Sequence, residues 1–138
     1  MITARMLYDH FGPPENETSM VLFKVPTAID IQTLPRKIYC NKNLVKPLEL
    51  AFQLIHDRNL GHLILTYDGC FNIRKKQSSS SMSLHAWGYA IDINAAWNRF
   101  GKPPTMPPLI VECFKEAGFD WGGTWLTPDG MHFQLREL

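Results

Sequence analysis

Two strand-like stretches constrain this chain more than any other part of its sequence, because each carries a polar residue opposite its apolar face. Along Gly88–Asn94 side chains alternate with a period of two, so Tyr89, Ile91 and Ile93 share the face that must be buried. Gly88, Ala90, Asp92 and Asn94 share the other face, and Gly88 and Ala90 leave space beside the Asp92 carboxylate. In His132–Leu135, Phe133 and Leu135 point to the core, while His132 and Gln134 point away from it. A fold that buries both apolar faces in a sheet therefore projects Asp92 and His132 from the non-core side, the geometry of an open cleft. His85 precedes Asp92 by seven residues, so a straight strand would set the two on opposite faces. The chain must bend between them, and Gly88 is the natural place.

His85, Asp92 and His132 supply two imidazoles and a carboxylate, and Asp129 adds a second carboxylate three residues before the last imidazole. A catalytic zinc site needs this inventory: three protein ligands, one position open for water, and a nearby base. The same donor set also suits iron(II). An isolated histidine is more often a satisfied core or surface residue, and His10, His56 and His62 are read that way.

Length and composition bound the alternatives. A chain of 138 residues is most simply one domain, large enough to bury about two-thirds of its unfolded surface. Hydrophobic content of 45% and charged content of 20% are those of a globular protein. A formal net charge of +1 gives no reason to expect nucleic acid, which calls for a marked basic patch. Arg74, Lys75 and Lys76 form a local cluster, and the two lysines read as a solvated face. Met1–His10 lacks the apolar region of a secretory signal, and no apolar run approaches the roughly 20 residues that span a bilayer. The expectation is a chain made in the cytoplasm without stable membrane insertion. Cys40, Cys70 and Cys113 are odd in number and lack C-x-x-C spacing, so they read as buried free thiols.

Residues 1–40 carry Pro13, Pro14, Pro26 and Pro35 with little regular period, and read as an irregular wrap with short strands. Asn43 is placed to cap a helix over Leu44–Asn59, with Leu44, Leu48, Phe52 and Ile55 on its apolar face and Gly61 just beyond. His62–Tyr67 reads as a strand ending at the Asp68-Gly69 turn. Gln77–Ser81 is a polar, serine-rich loop. A second helix starts near Met106–Leu109 and stops at Gly118, with Leu109, Ile110, Cys113, Phe114 and Ala117 as its apolar stripe. Helices that do not alternate regularly with strands predict an α+β fold: a small, mostly antiparallel sheet with helices on one face.

The pattern S-x-H-x-x-G-x-A-x-D at Ser83–Asp92, followed by D-x-x-H-F at Asp129–Phe133, resembles the zinc D-alanyl-D-alanine carboxypeptidase and L-alanyl-D-glutamate endopeptidase family. Gly69–Arg74 upstream and Gly118–Trp125 downstream add to the likeness, which is nearest to the small phage endolysins and runs from about Leu44 to Leu135. The resemblance implies the fold shared by these peptidases and the hedgehog signalling domain. It also implies one zinc ion held by His85, Asp92 and His132, with Asp129 as the catalytic carboxylate. Arg74 stands where the family places an arginine on the carbonyl oxygen of the scissile bond. Ser83 and Trp125 are candidate contacts for site or substrate, whereas Trp87 and Trp121 read as core.

In function, the resemblance implies a monomeric zinc peptidase of peptidoglycan stem peptides, cleaving the L-alanyl-D-glutamate bond as a phage-type endolysin. It would be made in the cytoplasm and reach the wall after holin-type release. A D,D-carboxypeptidase is the alternative within the same chemistry, distinguished by a site for the terminal carboxylate where an endopeptidase needs a cleft open at both ends. A non-catalytic zinc-binding module and a virion-carried peptidase are further alternatives.

Overall fold

The computed structural model describes residues 1–73 and 81–138. Arg74, the two lysines and the serine-rich run up to Ser80 lie outside the described residues. The protein is α+β. Strands β1 (Met20–Lys24) and β2 (Lys37–Asn41) form an antiparallel pair. Strands β3 (Tyr67–Gly69), β4 (Ala90–Ile93), β5 (Phe119–Trp121) and β6 (His132–Leu135) form a second sheet in the order β3-β4-β6-β5, every neighbour antiparallel. Among the described residues three α-helices accompany them: α1 (Ala4–Phe11), α2 (Val45–Asp57) and α3 (Pro108–Glu116). Among the described residues no helix is long and apolar enough to cross a membrane.

The alternation read from the sequence places the core. Tyr89, Ile91, Ile93 and Phe133 are fully buried, and the Phe133 ring stacks on Phe114 of α3 with centroids 4.2 Å apart. Phe114 in turn meets Phe52 of α2 and Phe119 of β5 edge-on. Each such side chain contributes about 1.5–3 kcal/mol by leaving water, so this aromatic column fixes how α2 and α3 sit on β5 and β6. The α3 stripe needs one correction: Leu109 is 53% exposed, and Val111 takes the buried position. The helix begins at Pro108, inside the expected range. Cys40, Cys70 and Cys113 are free and buried, as expected.

Three further expectations are corrected. Residues 1–40 are not wholly irregular, because α1 occupies Ala4–Phe11. The Thr3 side chain accepts from the Met6 N–H, and Gly12 at φ 83° closes the far end, so the helix has the start and stop signals of a capped segment. The cap ahead of α2 is Asn41, not Asn43. The Asn41 side chain accepts from the Asn43 N–H and opens a 3-10 turn over Lys42–Leu44, whereas the Asn43 amide donates to the Tyr89 hydroxyl. The strand expected over His62–Tyr67 is a 3-10 turn (Gly61–Leu63) followed by extended chain, with β3 only at Tyr67–Gly69. Asn94 explains the difference: its Oδ1 accepts from the Leu65 and Thr66 N–H groups and its Nδ2 donates to the Leu63 carbonyl. A buried side-chain amide thus satisfies backbone groups that a sheet partner would otherwise take.

Candidate metal centre

Asp92 on β4 and His132 on β6 are direct cross-strand partners, so the antiparallel register alone brings their side chains together on one face. His85 arrives differently. It lies on a 3-10 turn, Leu84–Trp87, which Gly88 ends at φ 63°. This left-handed residue supplies the bend between His85 and Asp92. A Cβ at Gly88 would lie 2.8 Å from the Asn41 backbone nitrogen, so the position excludes larger residues on space as well as on φ. Ser83 caps the turn, its Oγ accepting from the His85 N–H at 3.3 Å.

One donor atom from each of His85, Asp92 and His132 lies within 4.8 Å of the others. The hydrogen bonds around them determine which ring nitrogens face inward. His85 Nδ1 lies 2.7 Å from the Cys70 carbonyl, which only accepts, so Nδ1 carries the proton and Nε2 presents a lone pair. That Nε2 is 3.1 Å from Asp92 Oδ1. His132 Nε2 is 2.9 Å from Gln134 Oε1, and its Nδ1 faces the same Asp92 oxygen at 3.4 Å. Two nitrogen lone pairs and a carboxylate oxygen thus converge where they are 2%, 8% and 6% exposed for His85, Asp92 and His132. Such a set is repulsive unless a proton or a cation sits among its members. The residues therefore fit a divalent metal with nitrogen and oxygen ligands, and the hydrogen bonds to the outer ring nitrogens are those expected around metal-bound histidines.

The titration behaviour agrees. Burial alone would raise the Asp92 carboxyl, but hydrogen bonds with His132 and His85 outweigh it and hold the group well below the usual carboxylate range. Burial alone would lower His132, and the Asp92 carboxylate outweighs that in turn and raises it.

Asp129 stands at the mouth of this cluster, its Oδ2 3.9 Å from His132 Nδ1 and its side chain 20% exposed. The Asp129 N–H donates to the Gly122 carbonyl at 2.8 Å, and the Asp129 carbonyl accepts from the His132 N–H, so the carboxylate and the last histidine share one turn. The cleft in front of them is lined by Ile2, Ser83, Phe100, Trp125, Asp129 and Gln134, among others. Trp125 packs beside His132 at 5.3 Å between ring centroids. Trp87 is buried and donates to the Gly12 carbonyl, and Trp121 donates to the Gly130 carbonyl, so neither indole faces the cleft. A second recess that also borders Asp92 is lined by Asp68, Gly69, Asn72 and His85. Cys70, Gln134 and Ile2 join the site without having stood out in the sequence. The parity that turned His132 away from the core applies equally to Gln134, but the two backbone carbonyls leave no sequence signal.

Residues 76–135 match a family model described as D-alanyl-D-alanine carboxypeptidase. The match makes this part of the chain similar to that family. The matched segment contains His85, Asp92, Asp129 and His132, and begins after Arg74. Arg74 thus lies outside both the match and the described residues. Among solved structures the chain is similar to the crystal structure of the Serratia marcescens L-Ala D-Glu endopeptidase ChiX, with 22% identity over 70% of this chain and 80% of that chain, at a TM-score of 0.46. No curated protein matches the chain in sequence.

Gly122 offers a direct test of how tightly Asp129 is held. A Cβ there would lie 2.6 Å from the Asp129 carbonyl oxygen and 3.0 Å from Asp129 Cβ. These are backbone-fixed atoms that cannot swing aside. Gly122→Ala is therefore expected to push the Asp129 turn outward, lowering kcat by about 10²-fold and stability by about 1–3 kcal/mol. Peptide hydrolysis rates and a thermal melt of the variant check both figures, and wild-type kinetics would show that the turn has slack.

Proposed function

We propose that this protein is a zinc-dependent peptidase of peptidoglycan stem peptides, cleaving the L-alanyl-D-glutamate bond in the manner of a phage-type endolysin. The observation that carries the reading is the convergence of His85 Nε2, His132 Nδ1 and Asp92 Oδ1 at the wall of an open cleft, with a carboxylate beside them. A purely structural metal site is closed by four protein ligands, whereas a catalytic one keeps a position open. Here the described residues offer three ligands and a cleft. The family match supports the same chemistry.

In this reading His85, Asp92 and His132 hold the ion. A zinc ion so held supplies an acidified water, with a pKa near 7, and polarises a carbonyl. Asp129 would take the proton of the attacking water as its oxygen bonds to the carbonyl carbon, and deliver that proton to the leaving amine as the peptide bond breaks. Its place at the cleft mouth, near the His132 nitrogen that faces the ligand cluster, suits this exchange. Arg74 would meet the oxygen of the scissile carbonyl. Trp125 and Phe100 give the cleft an apolar wall on which a stem peptide can lie.

The endopeptidase is favoured over the D,D-carboxypeptidase by one feature. Among the described residues, two separate recesses border Asp92, which suits a peptide that continues past the ligands. A phage-type role would have the protein made in the cytoplasm and released to the wall through a holin-type pore. The deciding experiment digests purified peptidoglycan with metal-free and zinc-reconstituted protein and identifies the new ends by mass spectrometry. New D-glutamyl amino termini that require zinc are expected. Released D-alanine would make it a carboxypeptidase, and intact peptidoglycan despite one bound zinc would leave a non-catalytic zinc-binding module.

A further inference from the structure

The N-terminal segment reaches into the metal centre through a side chain that is not itself a ligand. Gln134 follows His132 by two residues on β6, so both side chains leave the sheet on the same face. Gln134 is only 3% exposed, and a buried amide must find partners for both its ends. Its Nε2 donates to the Ile2 carbonyl at 3.3 Å. A carbonyl can only accept, so this bond fixes which end of the amide points where and turns Oε1 toward His132. Oε1 then accepts from His132 Nε2 at 2.9 Å, which places the ring proton on Nε2 and leaves Nδ1 for the ligand cluster.

The carbonyl that begins this chain of bonds is itself held in place. The Ile2 side chain is buried at 5% exposure. The far end of α1 is tied to the other histidine's turn, since the Trp87 indole N–H donates to the Gly12 carbonyl at 2.9 Å. The segment from Ile2 to Gly12 therefore touches both histidine-bearing elements, one through Gln134 and one through Trp87.

We propose that Gln134, anchored by the Ile2 carbonyl, is a positioning residue that locks His132 in its metal-binding tautomer, so that the N-terminal segment is part of the metal site. This rests on the metallopeptidase reading above and adds to it a dependence of metal affinity on residues far from the ligands in sequence. Outer-sphere partners of metal-bound histidines typically change metal affinity by about 10–100-fold when removed. Gln134→Met keeps the length of the side chain and removes both bonds.

The test measures zinc affinity by competition with a chromophoric chelator in the full-length protein, with the cobalt(II) absorption band reporting ligand geometry. Wild type is expected to bind one zinc, and His132→Ala to lose it. Gln134→Met should bind zinc about 10–100-fold more weakly with a changed cobalt band. A chain lacking Met1 and Ile2, with Thr3 as its first residue, should show the same loss, whereas Thr3→Ala, which keeps the Ile2 carbonyl, should bind as wild type. Wild-type affinity in Gln134→Met, or an equal loss in Thr3→Ala, overturns the positioning role while leaving the metal reading intact. Failure of wild type to bind zinc, or undiminished binding by His132→Ala, overturns the metal reading and the proposal with it.

Discussion

Asp129→Ala is expected to abolish peptidoglycan hydrolysis while leaving the metal site filled. A positioned general base and acid contributes about 10²–10⁴-fold to rate, and in the proposed mechanism one carboxylate serves both proton transfers. The substitution isolates that contribution unusually well. The bonds that hold the turn are main-chain bonds, from the Asp129 N–H to the Gly122 carbonyl and from the His132 N–H to the Asp129 carbonyl. Alanine keeps both, so His132 stays where it is. The side chain is also partly exposed, at 20%, and its truncation opens no core cavity. Zinc content by atomic absorption, alongside muropeptide release followed by chromatography, separates the two effects. An Asp129→Ala protein that is zinc-loaded and fully active would remove Asp129 from the chemistry. One that is inactive because it has lost zinc would make Asp129 a fourth ligand.

Strand parity made half of this site legible in the sequence. A period of two is strict, so once Ile91 and Phe133 are assigned to the core, Asp92 and His132 must face the other way. The observed register pairs Asp92 with His132 directly. His85 was legible only as a need for a bend, because a 3-10 turn has no hydrophobic period to betray it. The left-handed Gly88 is the one residue in that stretch whose chemistry announces a change of direction. The misplaced strand at His62–Tyr67 has a different cause. The apolar run and the turn signal after it were real, but Asn94, some thirty residues later in the chain, takes the backbone donors that a strand would have offered to a neighbour. Tertiary hydrogen bonds of that kind are invisible to local pattern. So are the Cys70 and Ile2 carbonyls, which orient the two histidines through groups every residue possesses.

Asp92→Asn should sever the coupling between metal and fold at a single atom. Asp92 Oδ1 lies 3.1 Å from His85 Nε2 and 3.4 Å from His132 Nδ1, so it is the negative charge against which both imidazoles are arranged. Asparagine preserves the shape of the side chain in the middle of β4 and the cross-strand pairing with His132. What it removes is the charge that would offset a buried dication, and an ion left without a counter-charge in such a place costs several kcal/mol. Wild-type protein in zinc at a hundred times its dissociation constant should gain about 2.7 kcal/mol of stability, which in a chain of this size raises Tm by on the order of 10 °C. Asp92→Asn should melt cooperatively at the same temperature with and without zinc, and should not hydrolyse peptidoglycan. Calorimetry in paired zinc and chelator buffers reads the difference directly. A zinc-induced rise in Tm that survives the substitution would mean that the ion is held elsewhere, and the assignment of His85, Asp92 and His132 as its ligands would fall.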